Sequence, residues 1–172
     1  MSTVGITETT QYLTFRLGEE VFALDIGKVR EVLDFTSITK VPQTPDFMKG
    51  VINLRGSVVP VVDMRLKFGM SETERTVNTC IIIVEISLDN ETTVLGALAD
   101  SVQEVIELEP DGIEPAPKIG ARLKTDFIRG MGKRDGRFII ILDIDRVFSS
   151  DELALAQSAG ECTPLEDTAG QA

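Results

Sequence analysis

The residues closest to a chemical constellation are four aspartates, Asp25, Asp63, Asp100 and Asp143. Two carboxylates in contrasting surroundings can serve as general acid and general base. Asp63 and Asp143, however, each follow an apolar run, where a carboxylate caps the segment that comes next. The chain has no histidine. That excludes a Ser-His-Asp triad, a histidine base, a histidine metal ligand and a phosphohistidine. Cys80 and Cys162 are far apart and form neither a zinc spacing nor a CxxC. They read as one buried and one exposed thiol in a reducing cytosol. P-loop and GxGxxG motifs are missing, Gly130-Met131-Gly132 is too short to replace them, and no DxDxDG run is present. No catalytic residue, metal ligand or cofactor is therefore assigned. What remains is a surface feature: Arg55, beside Gly56, at the tip of a hairpin. It reads either as a solvated tip residue or as an interface anchor, since arginine pairs with carboxylates through two hydrogen bonds.

Charge narrows the partners. The 172 residues carry 17 Lys+Arg against 28 Asp+Glu, a formal net charge of −11. Nucleic acid and anionic membrane surfaces need clustered cations and are poor candidates. No cation follows Arg146, while Asp151, Glu152, Glu161, Glu166 and Asp167 do. The end of the chain reads as a solvated acidic tail. With no basic-then-apolar leader and no apolar run near ~20 residues, a cytoplasmic location is expected.

The elements that must position Arg55 and the aspartates are strands. Gln11–Leu17 alternates, Gly18-Glu19-Glu20 turns, and Val21–Ile26 returns, which is a hairpin. Val29–Leu33 continues in β. Val51–Leu54 and Ser57–Val62 flank Arg55-Gly56, and glycine there permits positive φ. Pro60 suggests an edge strand or a bulge. Met64–Phe68 reads as a helical turn, Cys80–Leu88 and Thr93–Ala99 as strands, and Val102–Leu108 and Phe138–Leu142 as two more. Residues 144–159 lack Gly and Pro and suggest a C-terminal helix.

An internal repeat organises these pieces. Asp46-Phe47-Met48-Lys49-Gly50 recurs as Asp126-Phe127-Ile128-Arg129-Gly130, an offset of 80. The same offset pairs Gly56 with Gly136, Asp63 with Asp143 and Phe68 with Phe148. Upstream, Val29–Leu33 resembles Val102–Ile106 at an offset of 73. One β module used twice, each copy closed into a small barrel to remove its sheet edges, accounts for this. The expected class is all-β, with a cleft between two barrels and the four phenylalanines buried in equivalent places.

The run Phe47–Arg65, with its NLRG and VPVVDMR segments, resembles the central signature of the CheW family of chemotaxis coupling proteins. Leu24–Val32, Pro115-Ala116-Pro117 and Phe127–Gly132 resemble its other segments. The resemblance implies two intertwined five-stranded SH3-like β-barrels with a hydrophobic cleft and a short C-terminal helix. It places a CheW-like domain at 11–158, with subdomain 1 at about 11–80, subdomain 2 at about 81–148, a helix at 144–159, and mobile tails at 1–10 and 160–172. It implies a stand-alone adaptor without catalytic activity. Such an adaptor bridges the helical tip of methyl-accepting chemotaxis receptors to the regulatory domain of the histidine kinase CheA, within membrane-associated arrays. Matching by position, the resemblance gives Val29, Glu31, Gly50, Asn53, Arg55 and Cys80 to receptor binding. It gives Val41, Pro42, Arg55, Gly56 and Ile119 to kinase binding. Two other readings compete. A small-molecule sensor would need convergent polar groups in the cleft, and an enzyme would use Asp63 and Asp143.

Overall fold

The computed structural model describes residues 9–42, 44–88, 90–114, 127–134 and 136–148. Its strands are β1 (Thr10–Leu17), β2 (Glu20–Asp25), β3 (Val29–Asp34), β4 (Met48–Leu54), β5 (Ser57–Asp63), β6 (Cys80–Leu88), β7 (Glu91–Ala99), β8 (Ser101–Leu108), β9 (Ile113–Glu114), β10 (Ile128–Arg134) and β11 (Arg137–Leu142). Two single-turn α-helices, α1 (Met64–Lys67) and α2 (Ile144–Val147), follow β5 and β11. One-turn 3-10 helices occupy Ile26–Lys28 and Pro110–Gly112.

The strands form two sheets. One has the order β3-β6-β7-β5-β4, the other β8-β1-β2-β11-β10-β9. We call the units built on them barrel I and barrel II. Barrel I is continuous in sequence from β3 to β7. Barrel II joins the N-terminal hairpin β1–β2 to β8–β11, through a parallel pairing of β2 with β11 (Ile140 opposite Phe22). Barrel I makes the matching parallel pairing between β5 and β7 (Val61 opposite Gly96). The sheets therefore do not divide the chain near residue 80. β6 and β7 complete the first barrel, and the first hairpin is carried into the second. The expected five strands hold for barrel I, and barrel II has six. The surplus is small, because the Glu114–Met131 pairing of β9 corresponds to an isolated Thr39–Val51 bridge in barrel I.

Three apolar clusters explain the sequence pattern. Ile52, Val59, Val61, Ile81, Ile83 and Leu98 fill barrel I, and Tyr12, Ala23, Ile106, Ile139 and Ile141 fill barrel II. The largest cluster lies between them, with Leu13, Phe15, Leu17, Phe22, Leu24, Ile82, Val84 and Ile86 among its members. β1 and β6 thus bury both faces. This is why β6 reads Ile81-Ile82-Ile83-Val84 without alternation, and why the Tyr12/Thr14 face of β1 is not solvated as its alternation suggested. Thr14 is satisfied there through its hydroxyl, which donates to the Glu104 carbonyl (2.7 Å).

The repeat is visible in the backbone. The Asp63 N–H donates to the Phe47 carbonyl (2.6 Å), and the Asp143 N–H to the Phe127 carbonyl (2.7 Å). The four matched phenylalanines differ from expectation. They pack on the shared core, not inside separate barrels, and pair across it: Phe68 with Phe127 (4.9 Å between centroids) and Phe47 with Phe148 (6.0 Å). This exchange is what a pseudo-two-fold between the units produces. Pro60 lies on an interior strand, one residue before the β5–β7 ladder begins at Val61, so its missing N–H costs no bond in that ladder. α2 stops at an extended Phe148. The rest of the expected 144–159 helix lies outside the described residues, as do both tails apart from Thr9 and Thr10.

Candidate partner-binding faces

The β4–β5 hairpin turns through two residues, both left-handed: Arg55 (φ 53°) and Gly56 (φ 88°). That pair of angles matches the strand twist in a type I′ turn. Asn53 fastens it by accepting the Gly56 N–H on Oδ1 (3.0 Å). A left-handed arginine is costly by about 1 kcal/mol, so the tip holds Arg55 against its backbone preference. Its guanidinium forks onto Glu31 of the edge strand β3, Nη1 to Oε2 at 2.6 Å and Nη2 to Oε1 at 2.8 Å. The hydrogen bonds from Arg55 hold the Glu31 carboxyl below its usual range. The Arg55 side chain stays 71% exposed, so the fork leaves the cation open to a second acceptor.

Asn53, Glu31, Arg55 and Gly56 therefore come together. The remaining receptor-face assignments do not. Val29 is half-buried against the shared core and stands opposite Val84. Cys80 is buried at the far end of β3, opposite Asp34, and burial raises its thiol pKa. Gly50 is buried and points at backbone: a Cβ there would lie 2.1 Å from the Thr39 carbonyl oxygen. It acts by letting the chain pass, as Gly130 does beneath Glu114. Sequence reasoning did not single out Val32, an apolar side chain that is 42% exposed on β3. Its outward place in the period-two pattern of β3 was the available signal.

Val41 and Pro42 line a groove of about 670 Å³ on barrel I, with Lys40, Met48, Lys49 and Leu66. The Lys49–Glu72 ion pair borders it. None of the lysines was legible as a groove residue, because their partners come from another loop. Ile119 lies outside the described residues. The barrels meet through packed apolar side chains. A cavity of about 460 Å³ along the seam is polar, lined by Arg16, Arg65, Glu74, Asp100 and Ser101 among others. Asp63 is fully enclosed. It accepts from Arg65 N–H (3.0 Å), Thr73 N–H (3.0 Å) and the Thr73 hydroxyl (2.7 Å), which is a capping role. Asp143 makes no capping hydrogen bond among the described residues. Among the described residues no three Cys, Asp or Glu cluster as a metal site, and no helix is long and apolar enough to cross a membrane.

Comparison with known proteins agrees with this architecture. The family model described as a CheW-like domain matches residues 11–152. The chemotaxis protein CheW of Klebsiella aerogenes is 36% identical over 157 residues, covering 91% of this chain and 92% of that protein. The CheW of Rhizobium meliloti is 35% identical, covering 83% and 89%. The crystal structure of the scaffolding protein CheW from Thermoanaerobacter tengcongensis superposes with a TM-score of 0.73 at 38% identity, covering 83% of this chain and 94% of that one. With its two SH3-like barrels and its matched signature, the chain belongs to the CheW family.

Proposed function

We propose that this protein is a non-catalytic coupling adaptor. It joins the cytoplasmic tip of methyl-accepting chemotaxis receptors to the regulatory domain of the histidine kinase CheA, from the cytoplasm, in membrane-associated arrays. The observation that carries the reading is the Arg55 tip: a two-residue turn presents a mostly exposed guanidinium, forked onto Glu31 of the edge strand β3, whose Val32 is also exposed. Such an edge suits an amphipathic helical hairpin, whose apolar stripe covers Val32 and the open side of Val29 while a carboxylate or carbonyl meets the arginine. On this reading Glu31, Asn53 and Arg55 contact the receptor, and Gly50 and Cys80 shape the strands beneath them. Val41 and Pro42 offer the groove to the kinase, Arg55 and Gly56 lie where both partners can be sensed, and Ile119 serves a second kinase contact. No cofactor takes part.

Calorimetry against a receptor-tip fragment and the kinase regulatory domain tests this. Arg55→Ala weakens receptor binding, kinase binding or both about 30-fold, with the melting temperature unchanged. Val29→Asp weakens receptor binding and not kinase binding, by setting an unpaired charge on an apolar contact, and it also lowers the melting temperature because Val29 packs on the shared core. Truncation after Ala159 leaves both affinities as they were. Wild-type binding by Arg55→Ala to both partners rules out the hairpin as anchor.

A further inference from the structure

Only two short connections carry the described chain between the barrels. One is the 3-10 turn Ile26–Lys28 between β2 and β3; the other is Asp100, alone between β7 and β8. At each, one polar contact ties together the connection, a helix of one barrel and a hairpin of the other. At Asp100, the carboxylate accepts from the Gly18 N–H at the β1–β2 turn (2.6 Å) and from Arg65 Nη1 on α1 (2.9 Å). At the 3-10 turn, Lys28 Nζ donates to Asp145 on α2 (2.8 Å), and the same carboxylate accepts from the Ser87 N–H on β6 (2.8 Å).

The helix and hairpin parts of the two contacts are equivalent, and the connection residues, Lys28 and Asp100, are one position apart in the repeat. Arg65 and Asp145 are the second residues of α1 and α2 and share the repeat offset of 80. Gly18 and Ser87 are related by the offset of 69 that also relates Leu13 to Ile82, which stand opposite the equivalent Leu24 and Ala97. Lys28 and Asp100 occupy the two connections. In both, a hairpin amide donates to a carboxylate that a cation neutralises. The charges are exchanged: cation on the helix and carboxylate on the connection at Asp100, the reverse at Lys28. The four side chains are between 18% and 31% exposed, so solvent screens them less than open surface pairs.

The shared apolar core holds the barrels together, but apolar burial has no direction. Hydrogen bonds do. We propose that the two contacts are pins that fix the angle between the barrels. Resting on the adaptor reading, they thereby set the spacing of partner faces on either side of the seam. Asp100 and Asp145 are positioning residues in this role.

The test needs no partner, so its failure is separable from failure of the adaptor reading. Spin labels are placed on the full chain through Ser57→Cys and Arg137→Cys, equivalent sites on the β4–β5 and β10–β11 hairpins, with Cys162→Ser and the buried Cys80 retained. Pulsed dipolar spectroscopy reads the distance between them. The unaltered pins give one narrow distribution. Asp100→Asn or Asp145→Asn broadens it and adds longer distances. Lys28→Asp combined with Asp145→Lys copies the charge arrangement of the other pin and restores the narrow distribution. Two folded asparagine variants with the unaltered distribution overturn the proposal. Should either fail to fold, the charge exchange decides: a folded protein with the original distance supports the pins, and an unfolded or broadened one overturns them.

Discussion

The hairpin–helix unit Phe47–Phe68 and its counterpart Phe127–Phe148 share a backbone and differ in what their side chains secure. Both carry the same register shift at the start of the hairpin, between Met48 and Gly50 in one and between Ile128 and Gly130 in the other. In the first unit Asp63 is sealed and holds the following loop through Thr73. In the second, Asp143 is part-exposed, and among the described residues its carboxylate meets Arg146, at 3.6 Å. The first unit also carries the Arg55 tip. Main-chain pairing thus preserves the repeat, while among the described residues the anchored loop and the arginine tip belong to the first copy.

Paired substitutions sharpen or break this contrast. The largest effect is expected at Gly50, where φ is +146° and a Cβ would fall 2.1 Å from the Thr39 carbonyl oxygen. Gly50→Ala should cost about 3 kcal/mol or more in urea unfolding. At Gly130 the nearest atom is the Ile113 Cγ2 at 2.6 Å, and the backbone oxygen, that of Glu114, stands farther off than at Gly50, at 2.9 Å, so Gly130→Ala should cost less, about 1–2 kcal/mol. Equal losses would mean the two close approaches are equally rigid. Next comes the capping pair: Asp63→Asn should cost about 2–3 kcal/mol, because a buried charged acceptor loses its donors' best partner, whereas Asp143→Asn should stay within ~0.5 kcal/mol. A third effect is chemical. Burial holds the Cys80 thiol protonated beyond its ordinary range, so a thiol reagent at pH 8–9 should modify it only as fast as the protein opens; rapid modification would place Cys80 on an accessible face.

The smallest effect lies at the tip. Arg55 depresses the Glu31 pKa. A depressed carboxylate contributes stability above its unfolded value of about 4.3 and loses it as pH falls through the lower folded one. The melting temperatures of wild type and Glu31→Gln should therefore converge only on the acid side, with a slight gap at neutral pH. A large gap at pH 7 would make the fork a structural element and weaken its role as a binding anchor.

Much of this was legible in the residues. Offsets of 80 and 73 located the duplicated unit, and Arg55-Gly56 located the tip. What periodicity cannot give is the partner of a strand. Leu13 and Phe15 announce a buried face without saying that it meets Leu142 and Phe148 from the other end of the chain in one shared core. For the same reason the division of strands between the barrels does not fall near residue 80 as expected, and the resemblance that gave Gly50 and Cys80 to the receptor says nothing of their surroundings. Gly50 is needed by a crossing backbone, and Cys80 belongs to a strand buried on both sides. The pins were invisible for a related reason. Arg65 and Asp100 are 35 residues apart and Lys28 and Asp145 are 117 apart, so no local motif joins them.

The discontinuity of barrel II has a consequence for synthesis. Every strand of barrel I has emerged once Ala99 leaves the ribosome, but the hairpin β1–β2, made first, still lacks β8 on one side and β11 on the other. Residues 100–142 take roughly 2–9 s to add at about 5–20 residues per second. Until β8 and then β11 emerge, this hairpin carries Leu13, Phe15 and Phe22 on one face and Tyr12 on the other without its full set of sheet neighbours. A message cut short between β7 and β11 yields a polypeptide with all the strands of barrel I and a β1–β2 hairpin that lacks its β11 neighbour, the kind of apolar surface that chaperones hold and proteases remove.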